Sequence, residues 1–321
     1  MTCQHHKTEA LSPYTRDGPG GPTRTFTLQQ NFARRLRGVL RRINARIRDA
    51  IQTNDAFDLR TEALVDDVPE SVFQTESTRA ATARFLEWLR TQFDNDYLTV
   101  VGPDANQFVR AAYAAGIREI HGQLSDLDVA FDRPDMDDML GRPIHASALR
   151  QLYTRTYENL ESVRDDTVQA VRDELVEGFR DGKSPTAIAR SLTDRVDSIG
   201  KHRSTMIARS EVIRAHTEGS ISRIDEINQS TDANLSGGHG RFNAAMGQPN
   251  ITCPFCRALN GTPLRTRELA SGVVQFRGDI YRLGPPSHVN GRCGVDVMVG
   301  ESIDTPLSER LPPEITVVSG G

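Results

Sequence analysis

Apolar residues recur at steps of three or four over most of the first two-thirds of the chain, a period that predicts helices. Phe32, Leu36, Leu40, Ile43, Ile47 and Ile51 form one stripe of a helix expected over residues 26–56. Two further helical patterns cover 77–93, with Phe85, Leu86, Trp88 and Leu89, and 104–124, with Phe108, Ala112, Ala115, Ile117 and Ile120. The longest signal runs over 146–181 through Leu149, Leu152, Leu160, Val163, Val168, Val171, Leu175 and Phe179. A helix of that length reaches about 50 Å at 1.5 Å per residue. Gly182 is expected to end it. Ser184 then caps a short helix with Pro185 at its first position and Ile188, Ala189 and Leu192 facing inward. A last helix is expected over 201–228, carrying Ile207, Val212, Ile213, Ile221, Ile224 and Ile227.

Beyond that point the period changes. Val273–Phe276 and 279–283 predict a hairpin across Arg277-Gly278, and 295–299 a further short strand. Breaker-rich stretches separate these blocks: Asp17-Gly18-Pro19-Gly20-Gly21-Pro22, a polar connector over 55–69, a Gly-Ser-Asn linker over 230–240 and a Pro-rich end after Gly300. The expected fold is therefore mainly α. A flexible tail (1–24) leads into an elongated helical body (25–199), then a small α+β domain (200–300) and a C-terminal tail (301–321).

Composition sharpens this picture. A chain of 321 residues with 37% hydrophobic and 6% aromatic content is lean for a compact enzyme and suits an extended helical protein. No run of eighteen apolar residues predicts a membrane span, and the N-terminus lacks an apolar signal region. With so few cysteines, the expectation is a chain made in a reducing cytoplasm.

The net charge of −4 is nearly neutral, so its distribution is what informs. Arg34, Arg35, Arg37, Arg41, Arg42, Arg46 and Arg48 surround the first apolar stripe with no acidic residue before Asp49. Such a helix either docks on DNA phosphates or an acidic partner, or is a solvated face paired with acids downstream. Asp126, Asp128, Asp132, Asp135, Asp137 and Asp138 crowd one later segment. They lack the glycine and terminal glutamate of a calcium loop, and a solvated loop is expected there.

Three of the four cysteines fall between Cys253 and Cys293. Cys253-Pro254-Phe255-Cys256 places two sulfurs on one turn, and His288 and Cys293 return at ligand spacing. This set predicts a structural zinc site of Cys253, Cys256, His288 and Cys293, because four protein ligands leave no open position for a reacting water. Buried cysteines or a disulfide pair are the alternatives. Cys3, His5 and His6 are read as parts of a mobile tail.

Ile207-Ala208-Arg209-Ser210-Glu211 with Ala215 and Gly219, then Cys253 to Cys256, Leu259-Asn260-Gly261, and Pro285-Pro286-Ser287-His288-Val289-Asn290-Gly291-Arg292-Cys293 together resemble the phage Mu F-like minor head proteins. Val289 stands where that family usually has proline, and Gly291 where many members have a further cysteine. The resemblance implies a minor head protein of a tailed virus, located in the virion near the portal vertex or head interior. It implies contact with the portal protein or major capsid protein, a possible hand in packaging or ejecting double-stranded DNA, and no membrane. Arg209 and Glu211 are expected to bridge their helix to the zinc unit. No H-E-x-x-H, P-loop or G-x-S-x-G motif occurs, so no enzymatic activity is expected. The alternative function is a zinc-stabilised cytoplasmic DNA-binding protein using the arginines on phosphates.

Overall fold

The structure, a computed structural model, describes residues 22–53, 76–100, 102, 106–128, 130–230, 239–244, 252–289, 291–298 and 303–318. The expected tail with Cys3, His5 and His6, and the connector over 55–69, lie outside the described residues. The described chain is mainly helical with a small strand region near its C-terminus. In order the elements are α1 (Phe26–Arg48), α2 (Glu76–Asp96), α3 (Gln107–Asp126), α4 (Met136–Gly141), α5 (Pro143–Arg180) and α6 (Pro185–Ser230). Then come β1 (His239–Asn243), α7 (Pro254–Leu259), β2 (Pro263–Arg265), α8 (Thr266–Ser271), β3 (Val273–Phe276), β4 (Asp279–Arg282), β5 (Gly294–Met298), α9 (Leu307–Arg310) and β6 (Ile315–Val317).

These group into two compact units, one of residues 31–104 and 154–205, the other of 1–30, 105–153 and 206–321. The grouping differs from a division in sequence order, because long helices let residues far apart in sequence pack together. In the first unit the α1 stripe is buried as expected, from Phe32 through Ile51. Asn44 Nδ2 donates to the Thr193 carbonyl at 3.2 Å and to Asp197 at 2.5 Å, fixing α1 against the first part of α6. Gly182, at φ +63, ends α5 with Lys183 N bonded back to the Gly178 carbonyl at 2.9 Å.

One expectation fails here. Residues 185–230 form a single helix of 46 residues, not a short helix followed by another from 201. Within that helix a Cβ on Gly200 would lie 2.5 Å from Leu40 Cδ1, so its bareness admits the α1 side chain.

In the second unit α3 and the later part of α6 approach backbone to backbone. A Cβ on Gly116 would lie 1.9 Å from the His216 carbonyl oxygen, and one on Gly219 would lie 2.2 Å from that of Tyr113. Ser220 Oγ donates across the contact to the Gly116 carbonyl at 3.2 Å. Ile120, Leu124, Ile224, Ile227 and Val297 form a buried cluster beside the crossing.

Two three-stranded antiparallel sheets complete the unit, ordered β2-β1-β5 and β4-β3-β6. The expected hairpin is present: β3 pairs with β4 across Arg277 and Gly278, both at positive φ. β1 and β6 were not expected. β1 starts inside the segment taken for a linker, and β6 lies in the segment taken for a tail, pairing with β3 through Val274–Val317. Arg310 holds this last segment down, donating to Glu268 Oε1 at 2.6 Å and to the Pro263 carbonyl at 2.5 Å. On β5, Val297 N donates to Gln123 Oε1 of α3 at 2.7 Å.

Gly116→Ala is expected to destabilise the protein by about 3 kcal/mol, because the clash is with backbone that cannot swing aside. Gly122→Ala on the same helix meets nothing within 4 Å and should be neutral or stabilising by up to about 1 kcal/mol. Denaturant melts of the two variants check the contrast.

Candidate metal centre and charged surfaces

The C-terminal sheets enclose an apolar core in which Phe255 stacks on Tyr281 with ring centroids 4.2 Å apart and meets Phe276 edge-on at 5.8 Å. This core carries the cysteines. Cys253 is the N-cap of α7 and Pro254 its first residue, so the helix start, not an isolated knuckle, brings Cys256 round beside Cys253. Cys256 N donates to Cys253 Sγ at 3.3 Å. His288 arrives on the loop after β4, its Nε2 3.6 Å from Cys256 Sγ.

The donor atoms of Cys253, Cys256 and His288 lie within 4.8 Å of one another, an arrangement that could hold a metal ion. Cys293, expected as the fourth ligand, falls outside that tight trio. It is nevertheless buried and close enough to Cys256 to hydrogen-bond with its thiol. Cys253, Cys256 and Cys293 are free thiols, all buried.

The chemistry of the donors suits a soft, borderline cation. The two thiols of the turn share a single proton's worth of stabilisation: hydrogen bonding from Cys256, then from His288, pulls the Cys253 thiol down, while Cys256 is held up by the same contact. His288 Nδ1 lies 2.9 Å from the Val289 carbonyl, which accepts its proton and leaves Nε2 facing the sulfurs. Tyr281 packs edge-on to the imidazole at 6.4 Å. The orientation of the histidine is thus set by protein contacts alone.

The arginines of α1 sort by the helix period. Arg34, Arg35, Arg41, Arg42, Arg46 and Arg48 are exposed and Arg37 half-buried, all off the buried stripe. Arg46 pairs with Asp96 at 2.7 Å and donates to Gln92, and Arg37 reaches Thr205 at 3.5 Å. Arg34 and Arg42 donate only within their own helix, to Asn31 and the Gly38 carbonyl. Among the described residues Arg46 alone of the seven has a carboxylate partner. The aspartates of 126–138 are exposed as expected, with Asp137 paired to Arg110 and Asp132 to Arg142, but the segment is not all loop: Asp126 ends α3, Asp135 caps α4, and Asp137 and Asp138 lie in α4. Arg209 and Glu211 are buried at 3% exposure each.

A buried polar network was not anticipated. Glu226 receives Arg142 at 2.5 Å, Arg223 at 2.6 Å and His145 Nε2 at 3.1 Å, and Tyr113 Oη meets His145 Nδ1 at 2.8 Å. Burial alone would raise the Glu226 carboxyl, but these donors hold it down to about 2. Its members lie up to 113 residues apart, so the only local traces are two pairs three residues apart, Arg142 with His145 and Arg223 with Glu226.

Residues 169–296 match the family model described as Phage Mu protein F like protein. The match begins within α5, earlier than the resemblance at residue 200, and takes in Cys253, Cys256, His288 and Cys293 but not α1. No curated protein matches, and no solved structure matches. Among the described residues no helix is long and apolar enough to cross a membrane.

Cys256→Ala, which removes one of the three clustered donors, is expected to abolish tight divalent-metal retention by the full chain. Cys293→Ala should weaken it by at least about tenfold if that thiol completes the set. Competition against a chromophoric chelator measures both.

Proposed function

We propose, from the match of residues 169–296 to the Phage Mu protein F like family, that this chain is a head morphogenesis protein and a minor structural protein of the phage head. In this reading it sits in the virion near the portal vertex or head interior, contacts the portal protein or the major capsid protein, and assists DNA packaging or ejection. The observation that carries it is the family segment itself, which takes in the end of α5, all of α6, the strands from β1 to β4 and the whole Cys/His cluster.

The metal in this reading is structural zinc held by Cys253, Cys256, His288 and Cys293. Three thiol ligands and one imidazole are a donor set that zinc takes in closed tetrahedral sites. Zinc supplies folding energy there, because strands of three to five residues bury little by themselves. No catalytic step is assigned to the chain, since four protein ligands would leave no coordination position for substrate.

The exposed arginines of α1 form the docking surface for an anionic partner, either packaged double-stranded DNA or an acidic face of the portal assembly. A zinc-stabilised cytoplasmic DNA-binding protein remains the second reading, favoured by the arginines that have no carboxylate partner among the described residues. Presence in purified virions, measured by mass spectrometry, separates the two: a chain absent from particles belongs to the second.

Elemental analysis should return about one zinc per chain. A structural site contributes on the order of 10 kcal/mol of apparent binding energy. Cys256→Ser should therefore open new proteolytic sites within 239–298 while α1 and α2 stay protected. Uniform digestion of the whole chain would contradict a locally acting metal.

Arg35, Arg41 and Arg42 are exposed and carry no ion pair among the described residues, so reversing all three to Glu tests the surface without breaking Arg46–Asp96. The triple variant should enter particles at reduced copy number or loosen from DNA. A DNA contact would lose affinity steeply with salt, at a slope of about 0.9 per neutralised phosphate. Normal incorporation and normal packaging would leave α1 as a solvated face.

A further inference from the structure

Arg223 lies at the centre of the second unit with its side chain only 1% exposed. It makes three directed contacts: Nε to His121 Nε2 at 2.9 Å, Nη1 to Glu226 Oε2 at 2.6 Å, and Nη2 to the carbonyl of Asp132. A guanidinium has donors and no acceptor, so His121 Nε2 must be the unprotonated, accepting nitrogen. The Asp132 carbonyl belongs to the segment 130–142, which Arg142 also ties to Glu226. One arginine therefore joins a neutral imidazole on α3, a carboxylate on α6 and the backbone of the segment between α3 and α5.

We propose that His121 is a proton-operated latch: neutral, it keeps Arg223 clasping residues 130–142 against α6, and protonated, it releases them. This inference does not depend on the role proposed above. The groups facing His121 are Arg223 and Glu226 from α6, and Asp132, Arg133 and the Phe131 ring (5.0 Å) from the segment itself. Arg133 stacks over Phe131 at 4.6 Å and reaches the Ser125 hydroxyl, so a second guanidinium already flanks the imidazole.

Protonating His121 would put a third cation there and strip Arg223 Nε of its acceptor. Arg223 is too buried for water to replace that acceptor. Relief requires the guanidinium to move, and movement breaks its bond to the Asp132 carbonyl. Glu226 cannot absorb the new charge, being already engaged by Arg142, Arg223 and His145.

The direction of titration agrees. Burial first, then Arg223 and Arg133, lower His121 from 6.5 to about 4. A histidine depressed on folding leaves the clasp at full strength above about pH 6.5 and weakens it as pH falls toward 4. Glu226, held down to about 2, stays charged throughout that window.

Hydrogen exchange of the full chain, read by mass spectrometry at pH 7.5 and pH 5 and corrected for intrinsic rates, tests the latch. Amides of 130–142 should open about thirtyfold more at pH 5, while the interiors of α3 and α6 keep their protection. His121→Gln, which still accepts but cannot be protonated in this range, should stay closed at both values. Equal protection at both pH values, opening spread evenly over the unit, or a His121→Gln chain that responds like the wild type would each overturn the proposal. Should that variant fail to fold, the NMR titration of His121 in the wild type decides: a midpoint below about 5 supports the latch, and one near 6.5 rejects it.

Discussion

The contact between Gly116 and Gly219 sets the geometry of the second unit. Two helices usually keep their axes 8–10 Å apart because side chains stand between them. Here the backbone of each meets the bare α-carbon of the other, and Ser220 turns its hydroxyl into the seam. That closeness is what lets Arg223 on α6 reach His121 on α3, and Ile224 and Ile227 pack with Ile120 and Leu124. A methyl group at either glycine would push apart every pair farther along the two helices.

Much of the helical part was legible because burial follows the apolar period. Phe32 to Ile51 and Leu149 to Phe179 are buried where the stripe puts them. The two helices expected after Pro185 are one, and Gly200 lies inside it where its bare α-carbon makes room for Leu40, a contact that only the fold reveals. The β3–β4 hairpin was legible because Arg277-Gly278 needs two positive φ angles, a requirement that local sequence can express. β2 and β6 have three residues each, too few for alternation to emerge, and β6 exists only because β3 offers an edge. The Cys/His spacing brought Cys253, Cys256 and His288 together as read, whereas the Glu226 network is assembled from three separate stretches of chain whose meeting no local spacing announces.

Helix α1 shows stability and surface chemistry kept apart on one element. Its buried side holds Phe32, Leu36, Leu40, Ile43 and Ile47, and its arginines hang on the other side. Most of those guanidiniums take no part in holding the helix in place, so the outer face can change charge without disturbing the packing beneath. The Cys/His cluster is the opposite case. Its cysteines are also core residues, packed with Phe255 and Leu283, so a change of donor there is also a change of core.

Gln123 answers a hazard common to every sheet that ends in an open strand. The outer edge of β5 presents backbone groups that a strand from another molecule would readily pair with. By accepting the Val297 N–H, the Gln123 side chain from α3 occupies that edge with a group that cannot itself be extended into a ladder. A further strand would have to displace this side chain before it could bond to Val297.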